Sequence, residues 1–481
     1  MCLYIPPTLL QLAMQGLLKN EALAISALDS MPIELLPPMF KGAFESRLTK
    51  ILKAMVAAWP FPCLPVGALM KTPEVETLQA VLDGIDMLLT QKAHPRRWKL
   101  QVLELRNVHQ DFWDVWAGRD NRARSAETGS EKQIAKCLHR YALRWYLKVV
   151  TDLSLCFHLQ EHQTCLLQWA QQRKGSVQLC CVKMQICDFP VETIMEVLDI
   201  VQPHYIEELE LFTNQVLSFL GHFAPCLGQM RNLHKFRLHH ICLNPDRVLI
   251  TFPESEENCF SKFLTQFSKL SHLQHLSMYG ILFSTDKIKQ LFRCLMILLE
   301  SLSITLSRFS QSDLQFLSQC PGLCQLKHLH LSHIELSTSH PTGLRVLLEN
   351  VADTLQTLEL EHCSLEDSHL SVLLPALSQC SQLTRVNFCD NRFSRPSLKG
   401  LLQCMANLNQ LAVELYPAPL ECYDHLCNIL VDRFVQLCPD LLDIVMAQRQ
   451  PKKMAFVTAI CLECCQRCVY DRKAILCRCW Q

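Results

Sequence analysis

Glycine is scarce in this chain, 13 among 481 residues, and none falls in a G-x-G-x-x-G, G-x-x-x-x-G-K-[ST] or G-x-S-x-G arrangement. Phosphate-cradling loops and nucleophile elbows need glycine where the backbone turns sharply or meets a ligand closely, so the folds built on them are excluded. An excess of charge is missing too. The 46 Lys+Arg residues balance 46 Asp+Glu, which leaves nothing to draw the whole chain onto a polyanion or an anionic membrane. Direct nucleic-acid binding is therefore not expected. Long uninterrupted apolar runs are lacking as well: the best membrane candidate, residues 56–70, carries Pro60, Pro62 and Pro65 in a stretch too short to span a bilayer as a helix. The first residues have no basic segment ahead of an apolar one and are broken by Pro6 and Pro7, so a cytoplasmic protein, with access to the nucleus, is expected rather than a secreted one. No nucleophile, base and orienting group stand at recognisable spacing, and the chain reads as non-catalytic.

What is abundant is leucine in a fixed pattern. The template Leu-x-x-Leu-x-Leu recurs at 206–211, 233–238, 273–278, 299–304, 326–331, 355–360, 383–388 and 408–413, with steps of 27, 40, 26, 27, 29, 28 and 25 residues. The 40-residue step implies an insertion around 244–257. This is the period of a leucine-rich repeat with one strand and one helix per unit. The expected fold is α/β, a leucine-rich-repeat horseshoe of the ribonuclease-inhibitor kind with an α-helical N-terminal cap and a Cys-rich C-terminal tail. Strand leucines turn inward by the period-2 rule, and a small or polar residue such as Cys363 or Asn391 closes the following turn. Four parts are expected: a helical region at 1–93, irregular first repeats at 94–205 with a polar loop at 118–136, the repeats proper at 206–415, and a C-terminal cap at 416–481.

The concave face follows from the same alternation. It comprises Glu208, Glu210, Phe212, Arg237, His239, Tyr279, His328, His330, Glu359, Glu361, Arg385 and Asn387. Mixed charge, histidines and two aromatics suit a protein ligand better than a polyanion, with a solvated sheet surface as the alternative. His328 and His330, with His333 close by, have the spacing of a metal pair but no carboxylate in the motif, and read as polar surface.

Apolar residues fall at helical spacing from Thr8 to Lys53: Leu9, Leu12, Ala13 and Leu17, then Ala22, Ile25 and Leu28, interrupted by Pro32 and Pro37-Pro38. Thr8, Leu9, Ala13 and Leu17 fit the elongin-binding box, in which a small residue precedes a leucine and a small residue and an aliphatic follow at four and eight positions. That stripe serves either a groove on elongin C or the helix's own core. Met31, Pro32, Leu35 and Met39 fit the cullin-2 box in the right order and separation after it.

Those boxes and several further stretches resemble the PRAME family, named for the preferentially expressed antigen in melanoma. The stretches are Glu21-Ala22-Leu23-Ala24-Ile25-Ser26-Ala27-Leu28, Pro95-Arg96-Arg97-Trp98, His109-Gln110-Asp111-Phe112-Trp113, Leu415-Tyr416-Pro417-Ala418-Pro419 and Ile475-Leu476-Cys477-Arg478-Cys479. The resemblance implies a substrate receptor that docks elongin B/C and cullin-2 through its N-terminal boxes and presents target proteins for ubiquitination. It also implies a germ-line setting and a similarity to transcriptional co-repressors that act on proliferation, differentiation and apoptosis. The polar loop here carries only dispersed charges, where the family antigen has a compact basic run. Leu-x-x-Leu-Leu boxes at 295–299, 344–348, 370–374 and 398–402 fall in or beside repeat helices, whose packing already demands those leucines.

The tail holds the sharpest chemical pattern. Cys461 and Cys464 form a C-x2-C pair and Cys477 and Cys479 a C-x-C pair, spacing that suits tetrahedral zinc. Cys465 and Cys468 lie between them, so the ligand set stays ambiguous, with a cap of free thiols as the alternative. No other cofactor is expected.

Overall fold

The computed structural model describes residues 8–70, 74–90, 99–116, 147–213, 218–240, 254–280, 285–305, 311–334, 336 and 341–480. The polar loop at 118–136, the residues 95–98 and most of the insertion around 244–257 lie outside them. The chain divides into two compact units, Met1–Ile206 and Glu207–Gln481.

The first unit begins with helices whose starts the sequence encodes locally. Thr8 closes a capping box on α1 (Leu9–Leu18), accepting from the Gln11 amide at 3.2 Å while the Gln11 side chain accepts from the Thr8 amide at 2.8 Å. Asn20 caps α2 (Glu21–Ala27) through the Leu23 amide. Pro37 and Pro38 open α3 (Leu36–Glu45), where missing N–H groups cost nothing. Then come α4 (Thr49–Ala57) and α5 (Val75–Thr90). The core gathers Phe40, Trp59 and Trp113, with ring centroids 5.3 Å and 5.8 Å from Phe40. Both buried indoles donate to carbonyls, Trp59 to Cys63 at 3.0 Å and Trp113 to Pro65 at 2.8 Å, so neither N–H is stranded.

Two expectations need correction in this unit. The helical region contains a strand, β1 (Cys63–Pro65), paired in parallel with β2 (Val102–Glu104), because Pro60, Pro62 and Pro65 forbid another helix there. The stretch read as irregular repeats holds long strands, β3 (Leu147–Cys156) and β4 (Val177–Cys187), each followed by a helix, Glu161–Gln172 and Val191–Ile200. They escaped the leucine template because Val149, Cys181 and Met184 stand in inward positions where leucine is expected, and Val150 and Cys180 are buried on the opposite face, which hides the alternation.

The second unit is a strand–helix repeat of the leucine-rich kind. Its parallel strands are β5 (Glu208–Thr213), β6 (Lys235–His240), β7 (His275–Tyr279), β8 (Ser301–Thr305), β9 (His328–Ser332), β10 (Thr357–Glu359), β11 (Arg385–Asn387), β12 (Val413–Pro417) and β13 (Lys453–Val457). Register aligns a single buried column from strand to strand: Leu209, Phe236, Leu276, Leu302, Leu329, Leu358, Val386, Glu414 and Met454. Every connection passes through a helix, such as Asp367–Leu377 and Arg395–Ala406, whose leucines pack behind the sheet. The turns are closed as expected. Asn391 accepts from the amides of Cys363 and Leu365 at 3.1 Å and 3.0 Å and donates to the carbonyls of Leu360 and Phe388.

The last template was placed three residues early. Register pairs Arg385 with Val413, so the motif is 411–416 rather than 408–413, and its step is 28 residues like the one before it. The slip arose because Glu414 occupies an inward position that hydrophobic residues hold in the other repeats. Its buried carboxylate accepts from Arg449 at 2.7 Å and from the Tyr416 hydroxyl at 2.9 Å. Residues 416–481 likewise hold more than a cap, since the helix Val431–Met446 and β13 make a further strand–helix round. The antiparallel strands β14 (Val469–Asp471) and β15 (Lys473–Ile475) follow it.

Three predictions test this packing by thermal and urea unfolding. Glu414→Ala leaves the Arg449 charge buried without its partner and should cost about 3–5 kcal/mol, against less than about 1 for the exposed Arg385→Ala. At Gly84 a Cβ would lie 2.7 Å from the Lys53 carbonyl oxygen and the Val56 Cβ, so Gly84→Ala should cost about 1–3 kcal/mol despite the better helix former. Gly16, with nothing within 4 Å, should instead gain up to about 1 kcal/mol as Ala.

Candidate functional site

Three surfaces carry the residues singled out from the sequence. On α1 no residue is buried: Leu9 is 86% exposed, Leu12 49%, and Thr8 and Ala13 are exposed. Leu17 is half-buried in the last turn, near Leu18, which lies over Gly42 of α3. The leucine stripe is thus not consumed by the unit's own core. Leu23 and Ile25 on α2 and Ile33 in the next turn are exposed apolar side chains as well. In the second box Pro32 is exposed and Met31 and Leu35 are half-buried. Met39 departs from the expected surface role. It is fully buried with Leu36, Phe40 and Ala43 on the inward stripe of α3, because the helix begins at Leu36 and turns that position toward the core.

The open face of the second unit's sheet is a ladder of polar contacts. Glu210 lies 3.6 Å from Arg237 and 3.2 Å from His239, and the His239 ring stacks on Phe212 at 4.4 Å and stands 5.8 Å from Tyr279. Burial holds the His239 imidazole below its ordinary range, with Glu210 pulling the other way and Arg237 pushing further down. Glu208 is half-buried one pleat away on β5. Farther along, His328 meets the Thr357 hydroxyl at 3.1 Å, His330 lies 3.4 Å from Glu359, and Arg385 donates to Glu359 at 2.8 Å. These histidines go to separate neighbours and take no part in a metal-holding group among the described residues. Asn387 is buried, not a free surface contact: its amide donates to Glu361 and its carbonyl oxygen accepts from the Cys389 amide.

Some participants were not legible in sequence. Arg467, from the tail, makes a paired contact with Asp390 at 2.6 Å and 2.5 Å and lies 4.0 Å from Glu361. Its partner is 77 residues away, beyond any local pattern. His333 and His362 stack at 4.6 Å, each in the left-handed region just after its strand. Burial, and then the neighbouring His362, hold His333 below the ordinary imidazole range. The repeat offset of the two histidines, one turn position in successive units, was the available signal.

All described cysteines are free thiols. Burial pushes Cys180, Cys363, Cys380, Cys389 and Cys422 up to about 12, so they stay protonated and act as small core residues. The tail differs. The sulfurs of Cys461, Cys464, Cys477 and Cys479 all lie within 4.8 Å of one another, a group of thiols able to hold a metal ion. Desolvation opposes the Cys464 thiolate, but the Gln466 amide and the thiols of Cys479, Cys461 and Cys477 outweigh it and bring Cys464 down to about 6. The leucines at the ends of the 295–299, 344–348 and 398–402 boxes are buried, and those boxes serve packing; in 370–374 Leu370 is buried and Leu374 half-buried.

No described helix is long and apolar enough to cross a membrane. Comparison with solved structures finds a chain of the TLR13–ssRNA13 complex (13% identity, TM-score 0.32, covering 58% of this chain and 37% of that one). It also finds an internalin, InlF, from Listeria monocytogenes (15% identity, TM-score 0.29, covering 56% and 71%). The fold assignment rests on strand register and buried leucines, not on these likenesses. Among curated human proteins, PRAME family member 12 is 45% identical over 478 residues, 98% of this chain and 96% of that protein. PRAME family member 8 is 43% identical over 479 residues, 98% and 99%. The PRAME N-terminal domain model matches residues 6–113 and the PRAME C-terminal domain model residues 147–479. With capped N-terminal helices, a leucine-rich strand–helix repeat and this likeness along nearly its whole length, the chain belongs to the PRAME family.

Proposed function

We propose that this protein is the substrate-recognition subunit of a cullin-2/elongin B/C ubiquitin ligase. The observation that carries the reading is the state of α1: a well-capped helix with Leu9, Leu12 and Ala13 turned to solvent and no residue buried. Leaving one leucine exposed forgoes about 1.5–3 kcal/mol, and a helix that does so repeatedly along one stripe is suited to a groove on a partner. Elongin C takes Leu9 as its anchor, with Thr8 and Ala13 allowing close approach and Leu17 at the end of the stripe. Cullin-2 then meets Met31, Pro32 and Leu35, without Met39.

The chain itself supplies no catalytic residue in this reading. The target protein binds the open strand face, where the Glu210–Arg237–His239–Phe212–Tyr279 group and the His330–Glu359–Arg385 group offer aromatic, basic and acidic contacts within a few repeats. The complex acts in the cytoplasm and extends to the nucleus, where degradation of a regulator accounts for effects on proliferation, differentiation, apoptosis and transcriptional repression. Neither a membrane nor a nucleic acid enters as a direct partner. The C-terminal thiol group has a structural part, a seat for zinc in the cap.

Tagged full-length protein is expected to co-purify with elongin B/C and cullin-2. Leu9→Ser should abolish both associations while leaving the melting temperature unchanged, since the side chain is 86% exposed. Pro32→Ser with Leu35→Ser should release cullin-2 alone. A wild-type protein that retains neither partner overturns the ligase reading and leaves a repeat scaffold that sequesters its target.

A further inference from the structure

We infer that Cys461, Cys464, Cys477 and Cys479 bind a single zinc ion, which locks the C-terminal hairpin and thereby holds Arg467 against Asp390 and Glu361 on the open face. The inference builds on the structural part given to the cluster above and is independent of the ligase reading.

The geometry selects four thiols from six. In a tetrahedral zinc–thiolate centre with Zn–S bonds of about 2.3 Å, neighbouring sulfurs stand about 3.8 Å apart. The Cys461 and Cys479 sulfurs are 3.8 Å apart, and no sulfur of the four is farther than 4.8 Å from another. A disulfide would need a separation of about 2 Å, and these thiols are free. Cys468 stands outside the group of four mutually close sulfurs; it is buried, and its sulfur accepts from the Cys477 amide at 3.3 Å. Cys465 is exposed and takes the left-handed conformation that turns the chain after the C-x2-C pair. That turn is closed by the Cys465 amide on the Cys461 carbonyl and the Cys461 amide on the Gln466 carbonyl, both at 2.9 Å. Zinc binds all four sulfurs as thiolates, releasing the protons they still carry, and leaves a tetrathiolate complex of net charge −2 in a segment where Arg467, Arg472, Lys473 and Arg478 outnumber Glu463 and Asp471.

The segment is held by strand pairing and polar contacts but by little apolar burial. From Ala459 to Trp480 only two residues are buried, and both are cysteines, Cys468 and Cys477. Leu462 is 94% exposed, and every residue of β15 is exposed. A hairpin with so little apolar burial is marginal in water. A metal joining the 461–464 turn to the 477–479 end supplies the missing free energy. Arg467 lies inside the span so closed. It donates to the Thr458 carbonyl at 2.9 Å as well as to Asp390, and Thr458 is itself bonded both ways to Cys468. Two acidic side chains of the sheet face are thus countered by a cation whose position depends on the thiol cluster.

The test uses the untagged full-length chain. Elemental analysis after expression in zinc-supplemented medium should find about one zinc per chain and no iron, and cobalt(II) added to chelator-stripped protein should give the intense visible bands of tetrahedral thiolate coordination. Cys464→Ser and Cys479→Ser should lose the ion and the bands, while Cys465→Ser keeps both. A main unfolding transition unchanged in Cys464→Ser and Cys479→Ser shows that the rest of the chain folds without metal, so a loss of the bands in these variants reads on coordination. Chelation should speed amide hydrogen exchange across residues 458–468 at least about tenfold, with the helix Arg395–Ala406 unchanged. Absence of zinc, iron in its place, or cobalt bands that persist in Cys464→Ser would overturn the site. One zinc per chain with unaltered exchange at 458–468 would instead overturn the lock on Arg467 while leaving the metal assignment standing.

Discussion

The second unit depends on one packing constraint: each strand must set an inward side chain beside the equivalent one of the next strand. The column from Leu209 to Met454 is buried at every step, and a single parallel strand with one helix cannot bury such a face alone. Stacking supplies the core and with it the period. It also orients the alternate residues, so the open face repeats every strand whether or not a ligand exists. The polar ladder on that face, from Glu210 to Arg467, is a product of core periodicity first and of binding chemistry second.

Where the column admits a charge, the surroundings adapt. Glu414 takes an inward place and recruits Arg449 from the chain after the helix Val431–Met446 and the Tyr416 hydroxyl two residues on. Desolvating both charges is expensive, and both contacts fall on one carboxylate oxygen, so Glu414 Oε1 and Arg449 Nε stay buried without a hydrogen bond. The same logic runs in the first unit, where the buried Glu104 is met by Arg106 through two bonds of 2.8 Å and 2.7 Å. Both acids sit on sheet strands near the limits of the leucine pattern, where strict apolar repetition gives way.

The two ends solve a different problem. A repeat array exposes apolar surface at its first and last members unless something covers it. In the first unit the Phe40–Trp59–Trp113 core and α3 to α5 form a well-filled body, while α1 keeps Leu9, Leu10 and Leu12 in solvent and meets α3 through Leu18 and its half-buried last turn. At the finish, an almost coreless hairpin gathers four sulfurs in place of hydrophobic burial. One terminus thus keeps apolar side chains available, and the other brings thiols together where little is buried.

The sequence by itself determined what depends on local spacing. The repeat class, the inward leucines, the helical spacing of α1 and the alternation of the strand face follow from periodicity, and the chain realises them in α1 and in β5 to β11; the C-x2-C and C-x-C spacings singled out the tail thiols without fixing which of the six group together. What only the tertiary structure decided depends on neighbours distant in sequence. Met39 fits the cullin-2 spacing but faces the core, because the start of α3 sets its phase. Asn387 belongs to the face by alternation but is covered through its bonds to Glu361 and Cys389. The last repeat slid three residues because a glutamate stabilised from 35 residues away holds an inward position. Two of the six tail cysteines stand apart from the four close sulfurs: Cys468 is buried with its sulfur toward the Cys477 amide, and Cys465 turns the chain at the surface. Periodicity states which side chains share a face, but whether a given one is covered, paired or free depends on contacts that close only when the chain has folded.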